Sequence, residues 1–115
     1  MKHTVGKQLT AGSANTIFTV PTGYKAEVTL LFVSNRDANN KTISVYWQHA
    51  HDAAHQIHII DAYSLAANSF LQFSNGSVIM QSGDSMVMTP QAGSVMDTIV
   101  TLDLYKENTV PFMAD

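Results

Sequence analysis

A chain of 115 residues with a hydrophobic fraction of 45% has the length and composition of one globular domain, which excludes a disordered chain and leaves no room for two cores. Only 13% of its residues are charged, the formal net charge is −3, and cysteine is absent, so disulfides and thiolate–metal sites are excluded. The cations Lys2, Lys7, Lys25, Arg36, Lys41 and Lys106 are scattered, whereas nucleic-acid binding needs a clustered basic face, so no nucleic-acid partner is expected.

Met1-Lys2-His3-Thr4-Val5 lacks the apolar core of a signal peptide, and residues 1–12 read as an arm ahead of the domain. A short strand around Ile17-Phe18 ends at Pro21-Thr22-Gly23, where proline presets φ and glycine supplies a permissive residue for a tight turn. Residues 26–33 are apolar at both parities, Val28, Leu30 and Phe32 against Leu31 and Val33, as in a central strand covered on each side. Their longest apolar run, Leu30-Leu31-Phe32-Val33, is far too short to span a bilayer, so no membrane partner is expected. Arg36-Asp37-Ala38-Asn39-Asn40 reads as a hairpin loop leading into Thr42–Gln48, which alternates with Ile43, Val45 and Trp47 on one face.

Residues 50–55 predict a loop with room for a single helical turn. A further strand follows, with His55 and His58 on opposite faces. Asn75-Gly76 is the strongest two-residue hairpin signal in the chain, and Ser82-Gly83-Asp84 separates Val78-Ile79-Met80 from Met86-Val87-Met88. Near the end Met96, Thr98, Val100, Leu102 and Leu104 face one way, and Asp97, Ile99, Thr101, Asp103 and Tyr105 the other. Residues 106–115 read as a second arm.

Eight or nine strands without a helix predict an all-β fold over residues 13–105, an antiparallel two-sheet β-sandwich of jelly-roll type. Its expected core is Val28, Leu30, Phe32, Ile43, Val45, Trp47, Val100, Leu102 and Leu104, with Met80, Met86, Met88 and Met96 filling irregular gaps.

Chemistry has few footholds. His49, His51, His55 and His58 crowd into one stretch and could offer imidazoles to zinc or nickel. The spacing His49-x-His51-x3-His55 is similar to the first half of the cupin metal motif. However, Ile43 stands where that motif has glycine, His55 where it has glutamate, and no histidine follows His58. The expectation is a solvated or interface cluster with no metal and no cofactor. Nucleophilic catalysis lacks a cysteine or a Gly-x-Ser-x-Gly elbow. Asp37, Asp52, Asp61 and Asp84 sit where short carboxylates cap turns, while Asp97 and Asp103 lie on a solvated face. No enzyme is expected. A sugar-binding module would present an exposed aromatic, yet the parity of Trp47 points it inward.

The segment Thr16-Ile17-Phe18-Thr19-Val20-Pro21-Thr22-Gly23 resembles the aromatic-Thr-Val-Pro-x-Gly opening of small β-sandwich virion proteins of tailed bacteriophages. Leu31-Phe32-Val33-Ser34-Asn35, the strand from Thr42 to Trp47, the Leu65-Ala66-Ala67-Asn68 turn and the Gly83-Asp84 turn are similar to the elements that follow in that family. The resemblance covers residues 14–105, and the histidine-rich segment 49–58 and the tail after Tyr105 depart from it. It implies a structural virion protein made in the host cytoplasm. First among its roles is a capsid decoration (cement) protein, acting as a homo-oligomer, a trimer by family analogy, on the major capsid protein. A head–tail connector, tail or fibre-base component is the alternative, ahead of a carbohydrate-binding module or a cupin-like metal enzyme. In the tail, Val110, Phe112 and Met113 are apolar where a free arm would be polar. These three are the interface candidates.

Overall fold

The computed structural model describes residues 1–50 and 56–106, and for residues 75–77 the backbone alone. It contains eight strands: β1 (Lys2–Gln8), β2 (Asn15–Thr19), β3 (Tyr24–Asn35), β4 (Lys41–Gln48), β5 (Gln56–Leu65), β6 (Phe70–Met80), β7 (Ser85–Pro90) and β8 (Met96–Lys106). Sheet I has the order β1-β8-β3-β6 and sheet II the order β2-β7-β4-β5. All pairings are antiparallel, and β1 with β8, β2 with β7, β3 with β6 and β4 with β5 form the ladder of one long hairpin wound into two layers. Pairing of β3 with β8 and of β4 with β7 closes each sheet. This is jelly-roll topology, with the core between the layers.

The inner faces follow the alternation in the sequence. Val28, Ile43, Val45, Val100 and Leu102 are buried, and Trp47 and Leu104 pack half-buried against them. Met80, Met86, Met88 and Met96 are all fully enclosed, as gap-filling side chains would be. Leu30 and Phe32 are not core residues. A bulge between Val28 and Leu30 advances β3 by one residue, so Leu31 and Val33 turn inward while Leu30 and Phe32 turn outward. An extra residue reverses every parity that follows it.

Two expected hairpins are absent for related reasons. Residues 36–40 carry the chain from sheet I to sheet II, because β3 and β4 belong to different layers. Asn35 fixes that crossing: its buried side chain donates to the carbonyls of Asn39 (3.1 Å), Leu65 (3.2 Å) and Ala66 (3.1 Å) and accepts from the Asp37 N–H (3.0 Å). At Asn75-Gly76 the chain does not reverse. β6 pairs with β3 on both sides of it, through Ser74 with Leu30 and Val78 with Val28, so the local turn signal is spent on an excursion from a continuous strand.

The amino-terminal segment expected as an arm is instead largely the edge strand of sheet I, with Val5 opposite Val100. The Pro21-Thr22-Gly23 turn forms as the sequence predicts, with Gly23 at φ 85° and the Tyr24 N–H bonded to the Pro21 carbonyl at 3.1 Å.

Candidate functional site

The most polar buried point lies at one end of the sandwich. Asp84 accepts hydrogen bonds from Trp47 Nε1 and the Gln81 N–H through Oδ2 and from the Ala50 N–H through Oδ1, each at 2.9 Å. Burial opposes its ionisation, but these three donors and the nearby His49 imidazole hold the carboxyl below its ordinary value. Backbone bonds at Val20 link the same turn to the end of β2. Gly83 sits there at φ 85°, and a Cβ on it would come within 2.8 Å of the Ala50 Cβ. With its oxygens aimed at fixed donors, Asp84 clamps three chain segments.

That clamp also decides what Trp47 can do. Its Nε1 is bound to Asp84 and its ring stacks on His49, with centroids 4.7 Å apart at 30°. His58 packs instead against Tyr46, at 5.3 Å and 45°. Tyr46 and Trp47 are neighbours in β4 and point to opposite faces, so the strand separates the two histidines. His51 and His55 lie outside the described residues. Among the described residues no group of three or more His, Cys, Asp or Glu side chains is placed to hold a metal ion. Asp37 caps its turn by accepting the Asn39 N–H at 2.9 Å, whereas Asp61, expected in a loop, is an exposed residue of β5.

The outer face of sheet I is the less expected feature. Ile99 of β8 lies opposite Phe32 of β3, and Ser34 of β3 lies opposite Phe70 of β6. Phe32 and Phe70 stack at 5.4 Å and 25°, although Phe70 is 62% exposed and Ile99 42%. Leu30 continues the apolar surface along β3. Charges rim this surface in pairs: Arg36 with Asp97 at 2.8 Å, and Lys2 with Asp103 at 3.8 Å. Tyr105 donates to Glu27 at 2.8 Å, a bond that raises the phenol pKa above its ordinary value. Gly6 of β1, opposite Ile99, ends the row in bare backbone, and a Cβ there would meet nothing within 4 Å. The monomer's packing therefore does not require glycine at this position.

Alternation in β8 places Ile99 outward, as the sequence predicts, but the patch as a whole escaped notice because the β3 bulge hides the outward turn of Phe32. The tail candidates Val110, Phe112 and Met113 lie outside the described residues.

No family model and no curated protein matches the chain. Solved structures do share its fold. A chain from the disulfide-linked pili of Bacillus endospore appendages superposes with a TM-score of 0.52 at 12% identity, covering 92% of this chain and 85% of that one. A chain in the structure of infectious bursal disease virus, Gx strain, superposes with a TM-score of 0.53 at 8% identity, covering 96% of this chain. The present chain spans only 32% of that viral chain.

Proposed function

We propose that this chain is a structural virion subunit, a capsid decoration (cement) protein that lays the outer face of sheet I on the capsid exterior and works without turnover. The observation that carries this reading is the Phe32, Phe70 and Ile99 patch, large apolar side chains standing outward on a sheet whose neighbouring charges pair among themselves. Four strands at about 4.8 Å and 11 residues at about 3.3 Å give that face roughly 700 Å², close to the ~800 Å² per partner of a stable protein interface. Low charge elsewhere limits repulsion between copies held side by side, and repetition on a lattice raises the effective concentration of each weak contact.

The resemblance over residues 14–105 to tailed-phage β-sandwich proteins supports the virion setting, and assembly as a homo-oligomer, a trimer first, belongs to the same reading. These 115 residues contain no cysteine, so such an assembly is held by packing and hydrogen bonds. Purified particles provide the test, through a density map. The expected result is a jelly roll on the shell exterior with the sheet I face turned to the capsid. Density at the neck or tail would transfer the role to a connector or fibre-base protein. Absence from particles, or a sheet I face turned to solvent, would contradict the proposal.

A further inference from the structure

Both edge strands on one side of the sandwich bulge at the same level. In β6, residues 75–77 stand between Ser74 and Val78 opposite a single intervening residue of β3. In β5, Tyr46 pairs with His58 and Val45 with Ile60, leaving Ile59 as an extra residue. Where both edges depart from their ladders, the two layers are left open, and an apolar cleft of about 160 Å³ lies between Val28 and Leu31 of β3, Ile59 of β5, Phe73 and Val78 of β6 and Met86 of β7. Phe73 belongs to the inner parity of β6, opposite Leu31, yet remains 46% exposed. The monomer has built a core position there and not filled it.

We propose that this cleft receives the Phe112 ring of a neighbouring copy, so that the carboxy-terminal segment 107–115 links one jelly roll to the next. Size supports the match. A cavity of about 150 Å³ with a comparable apolar lining admits one benzene ring, and Phe112 is the segment's only aromatic residue. Val110, Phe112 and Met113 supply the apolar chemistry of the lining, and no charge of the segment falls between them.

Reach selects the neighbour over the same chain. β8 ends at Lys106 opposite Tyr24, and the cleft begins four residues further along β3, at Val28. Its middle is therefore about 18 Å away along the strands and about 10 Å across them. Phe112 is six residues beyond Lys106, which even fully extended covers only about 20 Å. β8 also runs antiparallel to β3 and leaves Tyr24 heading away from the cleft, so the segment would have to reverse and pass around the β6 edge within that length. The cleft of another copy carries no such constraint. This inference rests on the assembly reading for the presence of neighbouring copies, but not on where the assembly sits.

The absence of cysteine allows a clean test in the full chain. Phe112→Cys and Phe73→Cys proteins are mixed under mild oxidation at concentrations where the parent protein self-associates, with Phe112→Cys and Phe70→Cys as the control pair. The expected result is an interchain disulfide between positions 112 and 73 that forms at least about tenfold faster than the control. Equal rates, or a parent protein that stays monomeric at every concentration, would overturn the proposal. A fast intrachain disulfide in the Phe73→Cys/Phe112→Cys double variant, without interchain product, would assign the cleft to the chain's own segment and overturn it equally. Cross-linking in solution without recovery of the protein on particles would leave this linkage standing and remove the capsid role instead.

Discussion

The two outer faces of this jelly roll differ in chemistry although one core supports both. Across sheet II the outward positions of β4 and β7 pair as Ser44 with Thr89, Tyr46 with Val87 and Gln48 with Ser85, so hydroxyl and amide groups flank one apolar pair, in which Val87 is buried and Tyr46 packs against His58. Across sheet I the corresponding surface carries Leu30, Phe32, Phe70 and Ile99. Fold stability does not require that difference, because one buried layer packs beneath both sheets. A contiguous apolar row on an outer face has its physical use in contact with another surface.

The largest effect is expected where a change reaches the layer that both faces share. Asp84→Ala would leave Trp47 Nε1 and the N–H groups of Gln81 and Ala50 without their acceptor, at a cost of about 3 kcal/mol or more. Urea denaturation should show that loss, and surfaces on both sheets should fail together. If the variant kept parental stability, the clamp would not hold the end of the sandwich. The same carboxylate sets an acid limit. Its folded pKa is depressed below 3.8, so its contribution is complete above that value and is lost as pH falls through the lower folded pKa. Unfolding curves taken between pH 5 and pH 2 should therefore lose a stabilising component that Asp84→Asn lacks.

Next in size is the contrast between the faces themselves. Phe70→Asp with Ile99→Asp should weaken particle binding by at least about 100-fold, as central apolar contacts do, while changing folding stability by less than about 1 kcal/mol. Thr16→Asp with Thr89→Asp on sheet II should alter binding by less than about threefold. Equal losses from the two pairs would break the comparison. The smallest effect tests the bare end of the apolar row. Gly6→Ala should stabilise the monomer by up to about 0.5 kcal/mol, since the added Cβ has open space, while weakening binding several-fold if a partner backbone approaches there. Unchanged binding would assign Gly6 no part in the contact.

Much of this was legible in the residues, up to the point where a strand departs from strict alternation. Met96 to Tyr105 keeps one parity throughout, and its inward and outward sets are those that the pattern predicts. β3 breaks parity between Val28 and Leu30, and a run apolar at both parities gives no sign of where the break falls. Arg36–Asn40 and Asn75-Gly76 have the chemistry of turns, but turn chemistry fixes a change of direction and not the layer in which the next strand pairs. β1 was hidden because, apart from Val5, its residues are exposed and polar or small. The cleft had no local signal at all, since it needs bulges in β5 and β6 at the same level. Asp84 was recognisable as a turn carboxylate, while its bond to Trp47 depends on the pairing of β7 with β4, which sets Ser85 opposite Gln48 and brings the turn beside the Trp47 ring.

The claim that sheet I is the binding face is tested most directly by the reactivity of single cysteines in this otherwise cysteine-free chain. Phe70→Cys and Thr16→Cys proteins would each be labelled with a maleimide, free in solution and on purified particles. Position 70 should lose at least about tenfold in labelling rate on the particle, and position 16 should keep its free rate. Protection at position 16 with position 70 still open would contradict the account.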